Sequence, residues 1–389
     1  MDDWIRTLLA CRRDEEAAVL VTVASTRGSV PREAGTRMVV TRQQQWGTIG
    51  GGHLELQAIG IARELMAGAN AAVLRRFPLG ASLGQCCGGL VNLMFEAVAP
   101  SAAQAAWLDA VAAHQRAGSA CVVVSGAGRP AASGALVVAG DSCDGTLGDT
   151  ADDRAARRLA VAMLASDAPA SLRGLVPGGP LFLFAPMWPA AEIVIFGAGH
   201  VGCALVRILE ELPCRVTWVD ERSEAFPQQV GDGVRIEVVD DPVAEAAAAP
   251  PASIFLVMTH SHPLDQALAE VILRRGDFRY FGLIGSTSKR RQFERRLAAR
   301  GLLATALGRM VCPIGIPGID SKEPAAIAVA VAAQLLPLLA QRLRGSGLEC
   351  PGRGVGSGVG SEVGSGEAGD LIEPAGGAAG RAVRAGVAR

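Results

Sequence analysis

Two cysteines stand side by side at Cys86 and Cys87, followed by Gly88 and Gly89, in the stretch LGQCCGGLVNLMFE. On a regular strand adjacent side chains face opposite ways, so one ligand would not meet both thiols. The glycines permit a turn that gathers both sulfurs at one point and turns backbone N–H groups toward an anion. Two soft thiolates beside such a loop suit a thiophilic metal or sulfur transfer better than acid–base work. The alternative is one thiol in a core and one at a surface, since free cysteine is often simply buried. A vicinal disulfide would be strained.

A second constellation is Gly197-Ala-Gly199-His200-Val-Gly202, between an apolar strand pattern and a helical one. The first glycine suits a tight turn, the second lets backbone approach a phosphate, and the third lets a helix pack closely. Asp220 ends the next strand pattern, where a carboxylate can accept hydrogen bonds from a ribose diol. The geometry suits any phosphate-bearing ligand, NAD or NADP among them; the bare alternative is a packing turn. His260-Ser-His262-Pro-Leu-Asp265 follows the fourth strand of this region, at the edge where ligands bind in such sheets. The histidines suit hydrogen bonding to phosphate or pterin, and no third ligand accompanies them for a metal. In the bland reading Asp265 caps the next helix. Gly285 and Ser286, with Lys289, mark another strand-to-helix junction and a second anion contact, or a plain cap. Near the N-terminus Gly50, Gly51 and Gly52 precede a helix whose entry is bracketed by His53 and Glu55. Close approach by a ligand is one reading; a turn with Glu55 at the positive helix end is the other.

These residues need elements to hold them. Residues 1–189 mix strands (AAVLVTVAS, TRMVVT, VNLMFEAV, ACVVVSG, GALVVAG, LFLFAPM) with helices (HLELQAIGIARELMAG, DDRAARRLAVAML), and no folded repeat is evident. Residues 190–343 alternate strand and helix strictly, which predicts βαβ units in a parallel, doubly wound sheet. Residues 344–389 are rich in glycine and serine and are expected to be disordered. The class is therefore α/β: a mixed N-terminal domain, a Rossmann-like domain and a tail.

Composition narrows the function. A formal net charge of −1 gives no basic footprint for nucleic acid. The apolar run from Ala325 to Ala340 is broken by Gln334 and Pro337 and reads as a buried helix, one that would also suit a homodimer interface, rather than a membrane span. The acidic, amphipathic start is not a secretory signal. Nine scattered cysteines fit a reducing cytoplasm, and the absence of C-x-x-C and H-E-x-x-H patterns argues against structural zinc and zincin chemistry.

In order along the chain, GSVPREAGTRMVV, GTIGGGHLE, LGQCCGG, IVIFGAGHVG, VDER, THSHPLD, GLIGSTSKR and CPIGIPGIDSKEPAAIAV resemble the XdhC/CoxI family over about residues 3 to 340. The resemblance implies a chaperone that binds the molybdenum cofactor (molybdopterin) as cargo rather than an enzyme oxidising xanthine. It implies exchange of a molybdenum oxo ligand for sulfur with a cysteine desulfurase, and delivery to the molybdenum subunit of apo-xanthine dehydrogenase. Cys86 and Cys87 fall on the family's cysteine motif, and Gly197, Gly199, His200 and Gly202 on its Rossmann loop. The chain departs from the family at its last helix, where Ala325, Ala326 and Gln334 stand in place of acidic residues. On this reading the cargo lies between the domains, its phosphate at Gly197–Gly202 or Gly285–Ser286 and its metal end toward the cysteines. The competing readings are an NAD(P)-dependent oxidoreductase and a cofactor-free scaffold for a molybdoenzyme.

Overall fold

The computed structural model describes residues 3–68, 72–80, 88–98, 106–128 and 134–340. Cys86, Cys87 and the glycine-serine tail lie outside them. The first half opens with α1 (Asp3–Arg13), whose Trp4, Ile5, Leu8 and Cys11 share one buried face. Then come β1 (Ala18–Arg27), β2 (Arg37–Val40), β3 (Gln45–Gly47), α2 (Gly52–Gly68), β4 (Val73–Pro78) and β5 (Leu90–Val98). The strands form an antiparallel sheet in the order β3-β2-β1-β5-β4. β1 is buried without alternation from Ala18 to Ala24 because both its faces are covered. Leu54, Ala58 and Ala62 of α2 lie on one face. On the other, Ala24 and Met94 meet Leu183 and Ala185 of a second sheet.

That second sheet overturns the expectation of no repeat. It is built from α3 (Ala106–Arg116), β6 (Cys121–Gly126), β7 (Leu136–Ala139), β8 (Ser142–Gly145), α4 (Thr150–Ser166), β9 (Ser171–Gly174) and β10 (Leu181–Met187). Its order, β8-β7-β6-β10-β9, repeats the first sheet's step for step. The register agrees: Leu20 pairs with Val39 as Val123 pairs with Val137, and Val21 with Phe95 as Val124 with Phe184. Gly47 and Gly145 both have positive φ, and in each case an added Cβ would strike the carbonyl of an equivalent residue, Arg37 or Ala135. The equivalent Trp4 and Trp107 stack with centroids 6.3 Å apart, as a two-fold relation between the units would produce. The unit is helix, three strands, helix, two strands, used twice. Sequence reasoning missed it because the copies share core pattern rather than residues, and cores tolerate such exchange. The visible traces were G-T-I-G at Gly47 to Gly50 against G-T-L-G at Gly145 to Gly148.

The second half is the doubly wound sheet that the alternating pattern predicts. β11 (Ala191–Phe196), β12 (Cys214–Asp220), β13 (Val234–Val238), β14 (Ile254–Val257), β15 (Tyr280–Leu283) and β16 (Met310–Val311) run parallel in the order β13-β12-β11-β14-β15-β16. On one face α5 (His200–Leu209) and α10 (Pro324–Ala340) close over Trp218 with Leu205, Leu209, Val331 and Leu335. On the other, α6 (Pro242–Ala248), α7 (His262–Arg275) and α8 (Thr287–Ala299) pack Ala246, Leu268, Ile272, Phe293 and Leu297 over Phe255 and Phe281. A short α9 (Ala304–Leu307) leads to β16. Side chains cap these helices: Asp241 accepts from Val243 and Ala244 N–H, and Ser261 from Leu264 N–H. Gly276, at φ +68°, ends α7 in the left-handed region. Strand order reverses between β11 and β14, which opens a crevice at their carboxyl ends. Among the described residues no helix is long and apolar enough to cross a membrane.

Candidate functional site

The structure gathers the N-terminal motifs at one end of the first sheet. A Cβ on Gly50 would lie 2.5 Å from Cγ of Pro31, and one on Gly89 would lie 2.2 Å from the carbonyl oxygen of Ser29. The loop GSVPREAG is thus wedged between the triple-glycine turn and the root of the cysteine segment, where Leu79 N–H donates to Gly89 O at 2.8 Å. Gly50, Gly51 and Gly52 all have positive φ, which is why glycine occupies all three positions. Space beside Gly51 is open, and His53 projects into solvent. Glu55 has a different task. Its carboxylate accepts from Thr48 Oγ1 at 2.5 Å, Ile49 N–H at 3.0 Å and Gly51 N–H at 3.1 Å, so it staples the turn to the helix.

The second unit keeps this staple and loses the opening. Asp153 accepts from Thr146 Oγ1 and Leu147 N–H, both at 2.7 Å. Where the first unit has Gly51, the second has Asp149, whose side chain caps Ala151 and Asp152 N–H. One copy closes its helix end with its own carboxylate; the other leaves the donors at the α2 entry without that cap.

In the second half, Gly197 (φ +118°) and Gly202 are fixed by packing. A Cβ on the first would meet Met258 O at 2.4 Å, and on the second Gly197 O at 2.3 Å. Gly199 differs: it caps α5 with open space around it, so packing does not demand its lack of a side chain. His200 is exposed beside it. The crevice is lined by Phe196, Gly197, Val219, Asp220, Glu221, Pro242, Thr259, His260 and Leu264.

Asp220 sits at this crevice with its acceptors already filled. One oxygen takes Ala198 N–H at 2.7 Å and Arg222 Nη2 at 3.0 Å; the other takes Arg222 N–H at 3.0 Å and Nε at 2.9 Å. Burial by itself would raise its pKa, but these hydrogen bonds and the guanidinium outweigh it and hold the carboxyl below the usual aspartate value. In this structure the residue read from sequence as a ribose acceptor orders the glycine loop.

Asp265 is likewise internal. It is fully buried and accepts from Thr259 Oγ1 at 2.7 Å, Thr259 N–H at 3.2 Å and Lys289 Nζ at 2.6 Å. Lys289 also donates to Ile284 O at 2.8 Å, joining the loops after β14 and β15. The cap of α7 is Ser261, not Asp265. His260 and His262 are both exposed on this rigid turn, His260 against the crevice. Ser286 caps α8 through Lys289 N–H at 3.3 Å, with Gly285 before it. Burial pushes the thiol of Cys312, 3.8 Å from Ser286 O, above its ordinary value. Among the described residues no cluster of three or more His, Cys, Asp or Glu side chains could hold a metal ion.

Sequence reasoning gave no role to Thr259 and Arg222, although they lie in the stretches THSHPLD and VDER. It read Gln334 as a break in an apolar run and a departure from the family. That side chain accepts from Tyr280 Oη and Gly315 N–H, both at 2.8 Å, tying α10 to the loop after β16.

Comparison with known proteins agrees with this architecture. The family model for the XdhC Rossmann domain matches residues 193–335, and that for the XdhC and CoxI family matches residues 11–78, within the first of the two units. A solved structure described as a xanthine dehydrogenase from Bacillus halodurans superposes with a TM-score of 0.69 at 21% identity, covering 89% of this chain and 98% of its own. The chuY protein of E. coli CFT073 aligns with a TM-score of only 0.24 at 16% identity, over 37% of this chain and 89% of its own, and carries no argument. No curated protein matches the sequence. Between them the two models take in the triple-glycine turn, the Rossmann loop and every strand of the doubly wound sheet, and the chain belongs to the XdhC and CoxI family.

Proposed function

We propose that the chain is a maturation factor for xanthine dehydrogenase that carries the molybdenum cofactor as cargo. The carrying observation is family membership in both halves, which supports a role in that enzyme's maturation. In this reading the cofactor's phosphate is received by N–H groups at Gly199 and His200 or at Gly285–Ser286, and its metal end turns toward Cys86 and Cys87. A cysteine desulfurase supplies sulfur, and the molybdenum subunit of apo-xanthine dehydrogenase takes the finished cofactor. The open helix entry at Gly51 and the open space at Gly199 support an anionic guest. The filled acceptors of Asp220 weigh against an NAD-dependent oxidoreductase, which would need them for ribose.

Anaerobic purification with pterin fluorescence and molybdenum analysis, before and after adding apo-xanthine dehydrogenase, is the test. Pterin and molybdenum should travel with the chain and leave it when the client is added. A preparation that captures the client and never carries pterin would refute the cargo role. The pair Cys86→Ser/Cys87→Ser should keep the thermal midpoint and lose support for sulfuration; undiminished client activation would remove the cysteines from the mechanism.

A further inference from the structure

The polar side chains that line the crevice are Asp220, Glu221, Thr259 and His260. Two of them are consumed by the protein. Asp220 is filled by Ala198 and Arg222, and the hydroxyl of Thr259 donates to Asp265 at 2.7 Å and accepts from Ser261 N–H at 3.1 Å. Glu221 and His260 are exposed, and neither makes a hydrogen bond or an ion pair among the described residues. The cation next to Glu221 in the chain, Arg222, turns its Nε and Nη2 to Asp220. Glu221 is thus the carboxylate of this crevice whose acceptors are free.

β12 ends at Asp220, so Glu221 is the first residue beyond it, and His260 lies in the loop after β14. These two strands flank β11, which sets Glu221 and His260 on opposite sides of the glycine loop, with the strand ends about 10 Å apart. The lining also includes the apolar side chains of Phe196, Val219, Pro242 and Leu264. A guest that fits is flat, apolar on its faces, and carries hydrogen-bond donors on one edge. A carboxylate offers two acceptors side by side and pairs best with two parallel donors, as it does with a guanidinium. The amino group and adjacent ring N–H of a 2-amino-4-oxopyrimidine present that pair, and a pterin contains this ring. Adenine sets an acceptor beside its amino group and hypoxanthine has no amino group, so neither matches.

Building on the cargo reading above, we infer that the crevice receives the pterin ring of the cargo, Glu221 accepting from its amino group and ring N–H. Of the two phosphate positions in that reading, the α5 entry at Gly199 is the one that adjoins the crevice, since Gly197 lines it and Gly285 and Ser286 do not.

Isothermal titration calorimetry of the full chain with 6-hydroxymethylpterin monophosphate tests this against the corresponding lumazine, in which an oxo group replaces the amino group. The wild type should bind the pterin at least about tenfold more tightly than the lumazine, the effect of one unmatched hydrogen bond to a charged group. Glu221→Gln should lose at least about tenfold in pterin affinity and bind the two compounds nearly alike, with an unchanged far-UV spectrum and thermal midpoint. Equal affinities in the wild type, or an unchanged pterin affinity in the variant, would overturn the assignment. GMP carries the same pair of donors and forms the second arm: tighter binding of GMP than of the pterin would give the crevice to a guanine nucleotide and overturn it as well. Copurification separates this assignment from the cargo role. A Glu221→Gln chain that carries as much pterin from cells as the wild type overturns the crevice assignment and leaves the cargo role standing, whereas a wild type that carries none refutes the cargo role itself.

Discussion

At the scale of single residues, the sequence motifs divide into groups spent on the protein and groups left open. Asp220 is spent: three donor groups, Ala198 N–H and the backbone and side chain of Arg222, converge on it. Asp220→Asn should cost about 1–3 kcal/mol, since it replaces charge-assisted acceptors with an amide that presents donors to donors. Because its pKa is lower in the folded chain than in the unfolded one, its contribution is full above the ordinary aspartate value. It is lost as pH falls through the depressed value. Urea unfolding at neutral and acidic pH should therefore show the wild type and variant converging in acid. The glycines divide in the same way. Gly202→Ala drives a methyl into Gly197 O and should destabilise by about 1–3 kcal/mol, whereas Gly199→Ala meets open space and should leave the thermal midpoint nearly unchanged. If Gly199 is glycine so that a ligand can approach, its alanine variant should retain less pterin while remaining as stable as the wild type.

At the scale of elements, the duplicated unit supplies an internal control. Thr48 with Glu55 and Thr146 with Asp153 are the same staple in two copies, so Glu55→Ala and Asp153→Ala should each cost about 1–3 kcal/mol in denaturant titrations. Only the Glu55 variant disturbs the open turn, and only it should reduce cofactor retention; equal loss from both would mean that the second unit also binds. The buried pair of Asp265 and Lys289 joins α7 to α8. Lys289→Met strands a buried carboxylate and should cost about 3–5 kcal/mol, while Lys289→Met with Asp265→Leu should recover part of that. Thermal melts of the single and double variants check the order.

At the scale of the whole molecule, the halves are tied where the described residues show ion pairs and hydrogen bonds. Arg6 of α1 pairs with Asp232, and Arg215 of β12 reaches both Gln115 O and, at 3.3 Å, Glu192. The exposed Arg6–Asp232 pair contributes little by itself, while the Arg215 contacts are half-buried. Arg6→Ala/Arg215→Ala should leave secondary structure intact and increase proteolytic cutting near residues 188–190. Unchanged cutting would place the tie elsewhere.

The parallel sheet was legible from its alternating pattern because helices separate most of its strands, a local signal, although β12 runs to β13 with no α-helix between them. The glycine loop was legible because tight turns admit few residue types. The roles of Asp220, Glu55 and Asp265 were not, since a carboxylate near a motif reads alike whether it faces a ligand or ties a loop. The duplication was hidden for a related reason: it resides in pairing register and in contacts such as Trp4 on Trp107, between residues far apart in the chain. By itself, then, the sequence determined the elements, the family and the chemically capable residues, because these follow from local pattern and composition. Only the tertiary structure decided which polar groups remain open and which of two equivalent helix entries is uncapped, because hydrogen-bonding capacity is consumed by neighbours that the chain brings together only on folding.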